Sequence, residues 1–466
     1  MTNIKKVNFK KATITIDEEI QFAGDKKDSE NDGRLNAESI VDKIVTFDYY
    51  EDVLSPAITA YIRVSDTTNI LSRLPIRGYE RVDLTFGTGN GDLTFGDNEK
   101  FSNPLYVTAI KDVRKKEGQE SFTLALSSLE NLMNETTRCQ KKYAKANISA
   151  HVADILKDPN IFNISKEEFD ERVEIEDCST PYSFIGNNRK PFYILSWLCP
   201  KAQPLKEGKV GGTSGFFFYE TYDGYKFKSV DGLLAQTGEF ESKKVQSQES
   251  PERAIETYTA TSLIDSAPEP ENNFQIVSYM MDSATNLQKN LRVGLYSNLT
   301  YFYNPLDWTT KAIPHSLREE VEKDGVSVAG RDVPIPAGDV SKNASRVLVR
   351  IGDTGMLTPS LEPNQDDNVE GSGRSDADMA KAFSRYTLLF QQSLNINVPC
   401  NINLRAGDII KVEIPVSGPL KSGKNKELDQ ELSGFYLIRS LRHHFQLSEG
   451  KNITALNLVR DSYGLT

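Results

Sequence analysis

The sequence predicts an α+β fold, mainly β, and three observations lead there: its length, two regions of short strands punctuated by turn residues, and a repeat between those regions. A single hydrophobic core rarely grows beyond roughly 250 to 300 residues. A chain of 466 residues therefore implies about two to four domains.

The opening region reads as strands over IVTFDYYE, AITAYIRVSD, ERVDLTF, PLYVTAIKDV and ESFTLALSS, separated by Gly, Asn, Asp and Pro clusters. Short antiparallel strands of this kind fit a barrel or sandwich. In ERVDLTF the period of two sets Val82, Leu84 and Phe86 on one face and Asp83 and Thr85 on the other. Near residue 131 the pattern becomes mixed. Ser149 is placed to cap a helix through AHVADILKD, its hydroxyl accepting from the free amides of the first turn. A second helix is expected over PFYILSWLC, with Pro191 suited to its first position and Pro200 as its stop. SGFFFYETYDGYKFKSVDG reads as two strands around Asp223 and Gly224. Phe216, Phe217, Phe218 and Tyr219 belong inside, because large contiguous apolar patches are rare on soluble surfaces.

From 272, NFQIVSYMMDSATNLQKNLRVG is helix or strand and LYSNLTYFYNP is a strand. Residues 313–379 show little apolar periodicity beyond SRVLVRIGD, and PSLEPNQDDNVEGSGRSD reads as an exposed or disordered loop. A helix over DADMAKAFSRYTLLFQQ, capped by Asp376, leads into strands over LNINVP, DIIKVEIPV, GFYLIRSLRHHF and NITALNLVRD. The domains expected are a first β-barrel at 1–130, a mixed α/β domain at 131–270, and a second β-barrel from 271–312 with 380–460. Residues 313–379 form an insertion, partly loop, and 461–466 a tail.

The two β-regions resemble each other. LPIRGYERVDL, a polar loop, PLYVTAI, a turn and FTLAL run parallel to NLRAGDIIKVEI, a polar loop, GFYLIRS, a turn and ITALNL. Gly78 lies 28 positions before Tyr106 and Gly407 lies 29 before Tyr436; Leu124 and Leu456 follow those tyrosines at 18 and 20. Any two antiparallel meanders share such an order, which is one reading. Duplication is the other, and three copies of a duplicated chain would then place six similar barrels in a ring.

The balance of charge bears on partners. A net charge of −11, from 55 Lys and Arg against 66 Asp and Glu, argues against a chain whose work is to grip phosphate, which needs clustered cations. Four cysteines are too few for a disulfide scaffold, and Cys139, Cys178, Cys199 and Cys400 lack the close pairs of a structural zinc site. MTNIKKVNFKK has no apolar segment behind it, so no signal peptide is expected, and PFYILSWLCP is too short to span a bilayer.

FSRYTLLFQQSLNINVPCNINLRAGDIIKVEIP, SGFYLIRSLRHHF with LNLVRDSYG, KPFYILSWLCPKA with GFFFYETYDGYKFKS, and SPAITAYIRVSDTTNIL together resemble the baseplate hub family of T-even-like contractile-tail phages. The amino-terminal half of the type VI secretion spike protein is similar in architecture. The resemblance runs in order over most of the chain and rests on dispersed segments rather than on one chemical motif. It implies two tube-type β-barrels with smaller α/β domains, assembled as a homotrimeric ring around a channel. It also implies a hexameric tail-tube or tube-initiator protein on one face, a trimeric spike on the other, contacts with baseplate wedge and tape-measure proteins, and genomic DNA passing without specific binding. The location implied is the virion, with assembly in the host cytoplasm. No cofactor, metal or catalytic residue is carried over.

A search for chemistry agrees. His443 and His444 are adjacent in a strand and face opposite ways, so they cannot chelate one ion together. FGTGNGD lies between two strands and lacks the helix that a phosphate loop needs. Carboxylate pairs such as Glu174 with Glu176, or Glu319 with Glu320, have the chemistry for acid and base work on a sugar, but nothing sets them apart among 66 acids, so the alternative of a tail-associated cell-wall hydrolase has no residue to rest on. No GxSxG elbow is present. A receptor-binding fibre module would call for clustered exposed aromatics, and the chain has only two Trp. Two further expectations concern assembly: the loops at 87–103 and 415–434 contact a tube ring or a neighbouring subunit, and acidic side chains line the channel.

Overall fold

The computed structural model describes residues 8–464 apart from 16–36, 75, 89–90, 97–101, 145, 207–208, 211–212, 237–254, 261–273, 284, 304–307, 309, 323–327, 352–373, 417–427 and 448–450. The loop PSLEPNQDDNVEGSGRSD up to residue 373, and much of the two polar loops expected to make contacts, lie outside the described residues, while residues 374–376 open a helix instead of continuing the loop.

The first β-region contributes β1 (Asn8–Thr15), β2 (Ala37–Ser39), β3 (Ile44–Asp52), β4 (Thr59–Asp66), β5 (Arg81–Thr88), β6 (Gly91–Phe95), β7 (Leu105–Lys116) and β8 (Gln119–Ser127). The middle contributes β9 (Lys142–Tyr143), β10 (Val173–Ile175), β11 (Phe184–Ile185), β12 (Leu205–Lys206), β13 (Lys209–Val210), β14 (Phe216–Thr221) and β15 (Gly224–Ser229). Then follow β16 (Thr257–Ala260), β17 (Gln275–Ile276), β18 (Ser278–Ser283), β19 (Ser297–Tyr303), β20 (Thr310–Ser316) and β21 (Arg346–Ile351). The last region is β22 (Gln392–Pro399), β23 (Ile409–Glu413), β24 (Gly434–Gln446) and β25 (Lys451–Arg460).

Period-two alternation builds the large sheet. In β3, Phe47, Tyr49 and Glu51 are buried while Asp48, Tyr50 and Asp52 face the other way. Val82, Leu84 and Phe86 are buried as the sequence predicts. Phe9, Phe47, Phe86 and Phe445 meet in one aromatic cluster, with centroids of Phe86 and Phe445 4.9 Å apart. Burying each such ring is worth about 2 to 3 kcal/mol.

Strand order within this sheet is repeated. Hydrogen-bonded neighbours run β5–β7–β8–β4–β3 in the first region and β23–β24–β25–β22–β18 in the second, every adjacent pair antiparallel. The surroundings differ: β5 takes β1 and β6 antiparallel, whereas β23 takes β16 in parallel, with β17 beyond. Among the described residues neither set closes on itself by hydrogen bonds. β19 pairs with β20 and β21 in a separate three-stranded sheet.

The middle elements differ in detail from the sequence reading. The helix Ile148–Lys157 has Asn147 at its N-cap, and Ser149 lies inside it, its hydroxyl accepting from the Cys178 amide at 3.4 Å. An α-helix does cover Pro191–Leu198, with Pro191 at its start and a 3-10 turn over Cys199–Lys201. β14 and β15 flank Tyr222 and Asp223, since Thr221 pairs with Gly224, so the turn sits one residue earlier than predicted. Phe216 to Tyr219 are buried. Residues 272–293 hold β17, β18 and then the helix Leu287–Val293. The helix predicted to start after Asp376 begins at Arg374, so Asp376 is inside it and is not its cap.

Candidate functional site: the joint between the strand sets

β24 is 13 residues long and changes neighbour partway along one edge. Up to Leu437 that edge pairs with β23; from Ser440 to Gln446 it pairs with β3, in the register Ser440 opposite Asp52 through Gln446 opposite Thr46. Arg439 is the change point: it is skipped between Ile438 and Ser440 in the pairing with β25, a bulge that bends the strand. The two strand sets are thereby joined into one sheet, with Phe445 of the second stacked on Phe47 of the first at 5.8 Å.

A buried carboxylate holds the joint. Glu51 accepts from the Tyr49 hydroxyl, the Tyr222 amide and the Ala406 amide, each at 2.8 Å, and so ties β3, the β14–β15 turn and the start of the β23 loop. Burial pushes its carboxyl above the usual range, opposed by the Arg405 charge and by these donors. Arg405 itself lies over the Tyr222 ring at 4.8 Å and donates to Asp223 at 3.2 Å.

The loops entering β5 and β23 are built alike. Tyr79 donates to the Val107 carbonyl at 2.7 Å and Val107 to that of Glu80 at 2.9 Å; Gly407 donates to Ile438 and Ile438 to Asp408, both at 2.8 Å. The Glu80 carboxylate accepts from the Arg77 amide at 2.6 Å and the Asp408 carboxylate from the Arg405 amide at 2.9 Å. Tyr79 and Gly407 are both left-handed, at φ 79° and 89°. Gly407 is thus matched by Tyr79 and not by Gly78, and the spacing comparison is one residue out at that point. At Gly407 a Cβ would stand 2.1 Å from the Tyr219 hydroxyl. Both crossing strands also skip one residue against their inner neighbour, Thr108 in β7 and Arg439 in β24.

On the outer face of the joint lies a shallow groove of about 540 Å³, bordered by Tyr50, Asp52, Tyr61, Asn395, Arg442 and Asn457 among others. Its lining mixes the rings of Tyr50 and Tyr61 and the aliphatic side chains of Ile396, Leu441 and Leu456 with polar groups, and it carries Glu51 and Asp52 against Arg442. Asp48 is paired with Arg442 at 2.8 Å and with His444 at 2.7 Å, and the Asn457 amide donates to the Asn395 side-chain oxygen at 2.7 Å.

His443 and His444 do point opposite ways. His443 is buried beside Tyr49 and bonded to Thr454 at 2.8 Å, its pKa lowered to about 3 by burial and then by Arg405, so it is neutral. Glu176 accepts from the Ser229 amide and hydroxyl, both at 2.7 Å, while Glu174 pairs with Lys228 and Glu320 lies 3.9 Å from Lys381. FGTGNGD supplies the end of β5 and the start of β6, which pair antiparallel with Thr88 opposite Gly91. Among the described residues no group of three or more His, Cys, Asp or Glu is placed to hold a metal, and no helix is long and apolar enough to cross a membrane. Cys139, Cys178, Cys199 and Cys400 are unpaired thiols.

Sequence reasoning missed two buried charge clusters. Arg385 bridges Asp231 at 3.0 Å and Asp461 at 2.7 Å, fastening the helix Arg374–Leu389 to the middle domain and to the end of β25. Glu220 accepts from the Ile58 amide at 3.0 Å and the Ser128 hydroxyl at 2.7 Å; burial and then the Glu130 charge push its pKa up to about 8. Neither cluster leaves a local signal, because its members come together from distant parts of the chain.

The joint and its repeated loops define a mainly β, internally repeated fold. No family model matches the sequence and no curated protein is matched. Among solved structures, the chain is similar to a tail protein from Neisseria meningitidis, at 9% identity over 97% of each chain and a TM-score of 0.49. It is similar to a prophage tail protein from Listeria monocytogenes, at 10% identity over 97% of this chain and 95% of that one, TM-score 0.43. A type VI secretion component from E. coli is similar at 10% identity, over 91% of this chain and 75% of that one, TM-score 0.40.

Proposed function

We propose that this chain is the structural hub of a contractile phage tail baseplate, a homotrimeric ring that adapts a sixfold tail tube to a threefold spike. The observation that carries the reading is the repeated strand order, with the two sets joined head to tail through β24 and β3. A chain holding two like units side by side has the design needed for three copies to imitate six, and closed rings stack best on partners of matching repeat. The two sets are read as the tube-type barrels named by the sequence resemblance, each completed within the ring.

In this reading the face carrying the groove lines the channel. Its tyrosines and asparagines, with Asp52 and with Arg442 paired to Asp48, give DNA no cationic track, so passage without specific binding rests on the lack of clustered cations. A tube or tube-initiator ring would stack on one side and a trimeric spike on the other, with wedge and tape-measure proteins as further neighbours, all within the virion. The chain's work is geometric and not enzymatic. Light scattering on the purified chain, alone and mixed with its spike, tests this: a mass of three chains and near-sixfold averages on one face by electron microscopy are expected. A monomer under both conditions, or hydrolysis of peptidoglycan by the pure chain, would overturn it.

A further inference from the structure

Both crossing strands continue past their bulge, but among the described residues only one of them meets a second strand there. In β24 the outer edge from Ser440 to Gln446 is covered by β3. In β7 the same edge beyond Val107 has no strand partner among the described residues, and Lys111 to Lys116 are exposed. At the opposite end of the repeat, β18 pairs with β22 alone among the described residues, and it leaves Tyr279 and Met280 exposed at 44% and 60%. By strand order β18 is the counterpart of β3, which is the strand that covers β24.

We propose that β7 of one copy pairs antiparallel with β18 of the next, repeating between subunits the joint that β24 and β3 make within one. This rests on the trimeric-ring reading and names the edges that close it. The register follows from the joint. Aligning the bulges at Thr108 and Arg439 makes Lys111 the counterpart of Arg442, and the partners of β4 and β22 make Asp48 the counterpart of Met280. Arg442 faces Tyr50 and His444 faces Asp48 in the joint. Lys111 therefore falls opposite Ser283, and Arg114 opposite Met280.

The two strands carry one further irregularity each, and these agree. β7 has an extra residue between Lys111 and Arg114 relative to β8, and β18 has one between Met281 and Ser283 relative to β22. Measured against each other the insertions cancel, leaving an unbroken register from Lys111 opposite Ser283 to Lys116 opposite Ser278. Two strands bent at the same level fit each other, whereas a flat foreign strand would lose the ladder there. The lysines and the bulge also protect the free edge from indiscriminate pairing before assembly.

Side chains directly opposite in antiparallel strands stand close enough for a disulfide. A chain carrying both Lys115→Cys and Tyr279→Cys should, on oxidation, run as a covalent trimer without reductant. A chain with Lys115→Cys and Met281→Cys, two residues out of register, should stay at the background of the single variants. A second test uses an exposed position that the monomer fold does not need: Met280→Lys, facing Arg114, should weaken the trimer about fivefold or more, and Met280→Glu should strengthen it. If wild-type chain has trimeric mass but the matched pair links no better than the shifted pair, the edge pairing is wrong and the ring reading stands. A monomer at every concentration, with and without the spike, overturns both.

Discussion

Replacing Glu51 by alanine withdraws a carboxylate that three segments share. The Tyr222 and Ala406 amides and the Tyr49 hydroxyl, each 2.8 Å from it, lose their acceptor in a place closed to solvent. A buried donor left unpaired costs about 1 to 3 kcal/mol, so the two amides alone bring the local cost to about 2 to 6 kcal/mol. Relief of the burial cost that raises the Glu51 pKa offsets part of it, and a net loss of about 3 kcal/mol is expected. Glu51→Gln keeps the shape and one acceptor oxygen, and should lose about half as much. Hydrogen exchange by mass spectrometry reads the effect where it arises. In Glu51→Ala the peptides containing Tyr222 and Ala406 should lose about a hundredfold of protection, while the sheet β19–β20–β21 keeps its own. Unchanged exchange at both amides would refute the claim that this carboxylate holds the joint.

Arg385→Met leaves Asp231 and Asp461 buried without their shared cation and should cost about 3 to 5 kcal/mol; a midpoint in urea within error of wild type would count against that cluster. Gly407→Ala forces a side chain into the left-handed region and against Tyr219, so a loss of more than about 2 kcal/mol is expected. Tyr79→Gly, at the matching turn, should cost under about 1 kcal/mol, and equal losses at the two sites would deny their difference. Glu220 has a folded pKa of about 8, above its unfolded value, so the folded state holds the extra proton between the two. Stability should therefore fall by up to about 1.4 kcal/mol per pH unit as pH rises from 4.5 to 8. Glu220→Gln should flatten that slope in urea titrations across the window, and parallel slopes would sink the assignment.

How much of this was legible in the sequence depends on how local each feature is. Strand positions, the inward faces of β3 and β5, the buried run Phe216 to Tyr219 and the opposed His443 and His444 follow from alternation over a few residues, a property each segment carries alone. The order of signals in the two β-regions was equally readable, because turns and strands of like length recur. Register was not: spacing matched Gly78 with Gly407, while the hydrogen bonds match Tyr79, and a turn that needs a left-handed residue hides its need when a tyrosine fills it. Helix starts failed for a similar reason, since Ser149 and Asp376 are good caps that tertiary packing placed one or two positions inside the helix. The joint itself lay beyond any local reading. Asp48 and Arg442 are nearly 400 positions apart, and only folding decides which of several free edges β24 will meet, because every β-edge offers the same backbone donors and acceptors.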